Sequence, residues 1–259
     1  MRFRGQTIIV TGAGYGMGRA IARAFGREGA NVVLAARSRE KLTAVAEELR
    51  DQGTNPSVSV TDVTSEPAVR DMVAGALGRY GAIDVLVNNS GVAGPTRAVH
   101  NVTAEEWRET LAINLTGAFY CSKHVADAML ARQRGSIVNI ASVAGRMAYP
   151  LRAPYAASKW GLIGFSHSLA AELAPHGIRV NAVLPGATAG ERMERVIAAR
   201  AEREGKSNDD VRAWYLKDIP MNRMITEDEV AQTVLFLASE SATGLTGQAI
   251  AVDGGYRMQ

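Results

Sequence analysis

QTIIVTGAGYGMG, residues 6–18, is the stretch whose reading decides the fold. Residues 6–11 read as a short apolar strand that runs straight into the glycines Gly12, Gly14, Gly16 and Gly18. An amphipathic helical pattern, RAIARAFGREGA, follows without a break. Strand, glycine turn and helix in that order offer free backbone N–H groups and a positive helix end to a pyrophosphate. Glycine allows the close backbone approach that such a group needs. Gly12, Gly16 and Gly18 follow the spacing G-x-x-x-G-x-G, and Tyr15 and Met17 lie between them.

A second stretch, from Ser136 to Lys159, carries the candidate chemistry. SIVNIA reads as a buried parallel strand with Ser142 at its carboxyl end. The pattern YAASKWGLIGFSHSLAAEL is helical, so Tyr155 and Lys159 lie one turn apart on one face. A phenol with pKa about 10 is a poor proton-transfer group at neutral pH. An adjacent ammonium favours the phenolate. Ser142 could hold a carbonyl or alcohol oxygen, and the three side chains together would move a proton for an alcohol–ketone pair. A tyrosine four residues before a lysine is by itself a weak signal, equally at home on an ordinary helix surface.

With both stretches in hand, the chain resembles the short-chain dehydrogenase/reductase family. Thr11-Gly12-x-x-x-Gly16-x-Gly18 matches that family's cofactor motif, and Tyr155-x-x-x-Lys159 its catalytic motif. Ser142 stands thirteen residues before the tyrosine, as the family pattern expects. The resemblance implies cofactor contacts at Gly12, Gly14, Tyr15, Gly16, Met17 and Gly18. It implies others at Asp62, Val63, Asn89, Tyr155, Lys159, Pro185 and Gly186. Asn114 matches the catalytic asparagine, which positions a water linking the lysine to solvent. Asp62 reads equally as a helix cap. Where relatives carry a threonine after Pro185-Gly186 this chain has Gly190, so either Thr188 or backbone alone meets the nicotinamide carboxamide.

The cofactor expectation rests on the end of the second strand, NVVLAA. NAD-preferring folds of this kind usually place an acid there, and an arginine nearby accommodates the 2′-phosphate of NADP. This chain has Ala36 and then Arg37, which favours NADP, with NAD as the alternative. Arg37 also reads as a plain solvated residue at a helix start.

The remaining patterns alternate strand and helix along the whole chain. PSVSVTD, DVLVNNSG, IRVNAVLPG and GQAIAVDGG read as further strands, and AEEWRETLAINLTGAFYCSKHVADAML as one long helix around Asn114. The expected fold is α/β: a doubly wound, Rossmann-like parallel sheet of seven strands, order 3-2-1-4-5-6-7, with helices on both faces. One domain spans 1–259, with a substrate lid at about 188–220. Met193, Val196, Ile197, Trp214 and Tyr215 form the apolar side of that lid. The pocket is expected from residues 143–149, 92–96 and the lid, with Arg146 and Arg152 close enough to grip an anion.

Composition narrows the function classes. A net charge of +3 without a basic run, and 6% aromatic residues, argue against a nucleic-acid surface. The single Cys121 excludes an internal disulfide and a cysteine-cluster zinc site, and no metal site is expected. No apolar run reaches the ~18 residues of a membrane span. The first strand begins almost at once, leaving no room for a cleaved leader, so the cytoplasm is the expected location. The implied activity is hydride transfer between a secondary alcohol or ketone and NAD(P). A 3-oxoacyl thioester reductase is the alternative, disfavoured by the apparent length of the lid. A non-catalytic nucleotide-binding scaffold is the remote reading, and would be expected to have lost Ser142, Tyr155 or Lys159. A homotetramer, or a dimer, is implied by the apolar surface of the helices around Asn114 and after Tyr155.

Overall fold

A computed structural model describes residues 1–256. The strands are β1 (Thr7–Thr11), β2 (Asn31–Ala36), β3 (Ser57–Val60), β4 (Val85–Asn88), β5 (Gly135–Ile140), β6 (Ile178–Pro185) and β7 (Ala249–Val252). They form one parallel sheet in the order β3-β2-β1-β4-β5-β6-β7, as expected. The order reverses between β1 and β4, which opens a crevice at the carboxyl ends of those strands.

The pleat explains why the strands are apolar throughout. Ile8 and Val10 of β1 point to one face, where they join Ile21 and Phe25 of α1 (Gly16–Arg27), Leu42 and Leu49 of α2 (Arg39–Asp51), and a later helix. Ile9 points to the other face and meets Val69 and Met72 of α3 (Glu66–Tyr80). A strand buried on both sides cannot alternate polar and apolar residues. Each fully buried Ile, Leu or Phe contributes about 1.5–3 kcal/mol, so the two faces together hold the sheet.

The helix around Asn114 departs from the reading as one continuous helix. It comprises α4 (Ala104–Leu111), a π-helical turn over Ala112–Thr116, and α5 (Gly117–Leu130). The extra residue in that turn carries Asn114 inward, where its side chain bonds to a neighbouring loop and helix. Gly117 follows because a Cβ there would stand 2.7 Å from Val63 Cγ2. The strands expected at residues 6–11 and within PSVSVTD are shorter, starting at Thr7 and ending at Val60.

After α6 (Ala153–Leu173) and β6, two helices cross the crevice: α7 (Glu191–Glu204) and α8 (Asn208–Leu216). Gly205, at φ +63°, turns the chain between them. Ile197, Ala201, Val211 and Tyr215 close a small core of their own. The last helix, α9 (Glu227–Ala238), packs against α1 through Val230 and Val234. No helix among the described residues is long and apolar enough to cross a membrane.

Candidate active site

Helix α1 starts differently from its neighbours. Helices α2, α3, α4, α8 and α9 are capped by Ser38, Ser65, Thr103, Ser207 and Thr226, whose side chains accept from first-turn N–H groups. At α1 the preceding residue is Tyr15, which makes no such bond, and no acid stands in the first turn. Those N–H groups remain available to an anion. Gly12 and Gly16 adopt φ of +66° and +58° to bring them round. A Cβ at Gly18 would collide with the Gly12 carbonyl oxygen. Asn89 clamps the turn to β4, its Nδ2 donating to the Thr11 carbonyl at 2.9 Å.

From this turn a cavity of about 410 Å³ runs along the strand ends. It is lined by Gly12, Tyr15, Gly16, Met17, Gly18 and Asn89 at one end, and by Ser142, Tyr155 and Lys159 at the other. Pro185, Gly186 and Thr188 form its floor. Thr188 Oγ1 donates to the Gly186 carbonyl at 3.2 Å, so that hydroxyl's proton is already engaged. A long ligand with a central diphosphate and a flat ring at one end fits this shape, and the glycine cradle that a Cβ would fill is what its phosphates require. The residues present therefore suit a nicotinamide dinucleotide.

Lys159 is buried and donates to the Ile140 carbonyl at 2.7 Å. Its Nζ lies 5.8 Å from the Tyr155 ring centre. Burial pushes the ammonium down to about 8, assisted by the Arg192 charge and opposed by Tyr155. At Tyr155 burial works in the opposite sense and would raise the phenol. The charges of Arg192, Lys159 and Arg152 and the Ser142 hydrogen bond outweigh it, leaving the phenol below its ordinary value. Ser142 also accepts from the Ala144 N–H at 3.1 Å, which fixes its rotamer.

Asn114 does not line the cavity. It accepts from the Val92 N–H at 2.7 Å, and its Nδ2 donates to the Val92 carbonyl at 3.1 Å and to Ser158 Oγ at 3.0 Å. It thus joins the loop after β4 to the helix that carries Tyr155 and Lys159. Asn88 likewise ties strands to helices, donating to Asn139 and Ser122.

Three expected cofactor contacts lie beyond the cavity, at the ends of β2 and β3. Arg37 is exposed, and its charge helps to hold the Asp62 carboxyl below the usual range, mainly because Asp62 accepts from the Thr64 N–H. The helix-cap alternative for Asp62 goes instead to Ser65. Val63 buries its side chain against Gly117, so its main chain is the part that could face a ligand. Gly14 turns toward Lys41 rather than the cavity.

Sequence reasoning missed two cations. Lys41 of α2 holds its ammonium 5.1 Å over the Tyr15 ring. Arg192 reaches to 5.8 Å from the Tyr155 ring centre and donates to the Gly91 carbonyl at 3.4 Å. Its signal was a cation in the first turn of α7, where the helix dipole disfavours one. Of the expected pocket walls, Val143, Tyr149 and the lid residues Met193, Val196 and Tyr215 line the cavity, while residues 92–96 do not. Arg146 is exposed and faces β7, donating to the Ala249 carbonyl, whereas Arg152 is buried beside Tyr155.

Residues 12–257 match the sequence model of a family described as enoyl-(acyl carrier protein) reductase. The 3-oxoacyl-[acyl-carrier-protein] reductase FabG of Escherichia coli is 38% identical over 258 residues, covering 100% of both chains. FabG of Thermotoga maritima is 36% identical over 255 residues, 98% of this chain and 99% of that one. Among solved structures, NAD+-bound xylitol dehydrogenase superposes with a TM-score of 0.96 at 33% identity, covering 98% of this chain and 100% of the other. A variant of actinorhodin polyketide ketoreductase with NADPH gives 0.94 at 38% identity, covering 98% of each. With its sheet order, its glycine turn and relatives along its whole length, the chain belongs to the short-chain dehydrogenase/reductase family.

Proposed function

We propose that this oxidoreductase interconverts a 3-oxo compound and its 3-hydroxy counterpart with NADP(H), Tyr155 moving the proton. The observation that carries the reading is the convergence of Ser142, Tyr155 and Lys159 on the cavity that the glycine turn also lines. The 3-oxo pattern is supported by the FabG relatives. The objection from lid length falls away, since E. coli FabG aligns over its entire chain. A free secondary alcohol or ketone is the second reading, favoured by the likeness to xylitol dehydrogenase.

When bound, the dinucleotide supplies or accepts the hydride. Tyr155 gives its phenolic proton to the substrate oxygen during reduction and takes it back during oxidation. Lys159 lowers the cost of the phenolate by its charge. Ser142 orients the oxygen, and Asn114 keeps the helix and the loop after β4 in register for a water path to Lys159. Residues of α7 and α8, within the segment at about 188–220, act as the substrate lid of a single domain spanning 1–259.

The direction of the pH dependence follows from the charges. Reduction needs the phenol and oxidation the phenolate, and both Tyr155 and Lys159 are shifted downward. Raising the pH is expected to lower kcat/KM for carbonyl reduction and raise it for alcohol oxidation as Tyr155 loses its proton, a trend that Lys159 opposes above about 8, where it loses the charge that favours the phenolate. Profiles measured in both directions between about pH 6 and 10 check this, with the pair read as one coupled titration. Parallel profiles would remove Tyr155 from the proton transfer.

Trp107, Phe119 and Trp160 remain exposed on α4, α5 and α6. Large apolar side chains left exposed on neighbouring helices suit an interface. A homotetramer is expected by light scattering at micromolar concentration, a dimer being the smaller alternative; a monomer mass contradicts it.

A further inference from the structure

We propose that the substrate is a carboxylate, held beside the reacting carbon by Arg152 with help from Arg192; this rests on the 3-oxo reading above. In place of the thioester of the relatives, the oxo acid would carry a free C1 carboxylate.

Arg152 is only 5% exposed. One of its terminal nitrogens donates to the Ala93 carbonyl at 2.6 Å, and its Nε is buried with no partner. Its guanidinium carbon lies 5.1 Å from the Tyr155 ring centre and 5.8 Å from that of Tyr149, so the charge sits at the substrate end of the cavity. Arg192 approaches the same ring at 5.8 Å. An isolated buried charge is costly, and arginines in such places normally face a carboxylate. Neither arginine forms a salt bridge among the described residues. Of the two carboxylates lining the cavity, Glu191 pairs with Arg195, and Glu227 lies beside Gly16 and Gly190 and forms no salt bridge with either arginine.

Position adds to the argument. Arg152 immediately precedes α6, which has no acid in its first turn, and Arg192 stands in the first turn of α7, whose acids Glu191 and Glu194 pair with Arg195 and Arg212. The acid-free start of α6 and two guanidinium groups therefore approach the Tyr155 ring, where no acid among the described residues pairs with either arginine and a neutral thioester would not balance them. A planar carboxylate matches the guanidinium fork. With Arg152 and the Tyr155 phenol side by side, the carboxylate belongs within one or two carbons of the carbonyl. Tyr149, Tyr215, Met193 and Val196 complete the walls and leave room for a short apolar tail. The redox balance is unchanged: hydride to the carbonyl carbon, proton from Tyr155 to its oxygen, and the carboxylate a spectator.

The test compares 3-oxobutanoate, its methyl ester and its N-acetylcysteamine thioester in steady-state reduction with NADPH. The acid is expected to exceed both neutral forms in kcat/KM by about 10-fold or more. Arg152→Gln is expected to lower the acid-to-ester ratio of kcat/KM by about 10- to 100-fold, chiefly through KM for the acid, and Arg152→Lys to recover part of it. Arg192→Gln should lower the same ratio. A rise confined to KM for NADPH would remove Arg192 from the subsite. Equal losses on acid and ester would mean that Arg152 acts only on Tyr155 or on folding, and would overturn the proposal. So would a parent enzyme that prefers the thioester. Butanoate, which has no carbonyl, is titrated calorimetrically into NADP-loaded protein and its Arg152→Gln variant. Binding to the parent alone supports the anion subsite even if no 3-oxo compound is turned over, in which case only the reaction reading fails. No binding to the parent overturns the subsite.

Discussion

Tyr155→Phe protein is expected to keep its dinucleotide affinity and to lose about 10²-fold or more in turnover, because the positioned proton donor is gone. The ring's packing would survive, since the Tyr149 ring and the Arg152 guanidinium lie 6.3 Å and 5.1 Å from its centre, contacts that a phenylalanine ring keeps. Folding should change little, and removing a phenol whose charged form is strained by burial leaves Lys159 with one neighbour fewer. The loss should appear in single-turnover hydride transfer, followed by the change in cofactor absorbance, and not only in the steady state. Dinucleotide binding, read from fluorescence titration, should remain within a few-fold of the parent. Single-turnover rates close to the parent's, in a protein with an unaltered circular dichroism spectrum, would sink the assignment of Tyr155 as the acid.

The sheet order was legible because a strand buried on both faces must be apolar, and because β1 feeds the glycine turn directly. Ser142, Tyr155 and Lys159 were legible as neighbours because one strand end and one helical turn bring them together. The π turn at Ala112–Thr116 was not, since an inserted residue leaves the apolar period of the flanking helices almost unchanged. Arg192 and Lys41 were hidden for another reason. Their chemistry arises from packing between elements remote in sequence: α7 over α6, and α2 against the glycine turn. Periodicity reports which face of a helix is buried and not what a long cation on its other face will reach. Arg152 and Arg146 looked alike in sequence, and only burial separates them.

The cofactor preference should reverse when the end of β2 is rewritten. Ala36 pairs with Val60 at the last rung of the sheet, and Arg37 follows it, exposed, with its charge felt at Asp62. An acid at 36 would accept from ribose hydroxyls and repel a phosphate, and Ala36 does neither. Arg37 would offer a charge-assisted grip on a 2′-phosphate, and Lys41, whose ammonium lies over the Tyr15 ring, would add a second cation. One partly exposed contact of this type is worth about 1.5–3 kcal/mol, or roughly 10- to 150-fold in affinity. The parent is therefore expected to favour NADP(H) over NAD(H) by about that factor in kcat/KM, measured with one substrate. Ala36→Asp with Arg37→Leu should turn the preference toward NAD(H). Lys41→Ala alone should weaken it without reversing it, because an ammonium is a point charge without the guanidinium fork. High salt should shrink the parent's preference, since exposed pairs are screened beyond about 10 Å at 0.1 M. A parent that already favours NAD(H) would reduce Arg37 to a solvated residue beside a helix start, and the preference would have to be sought elsewhere along the cavity.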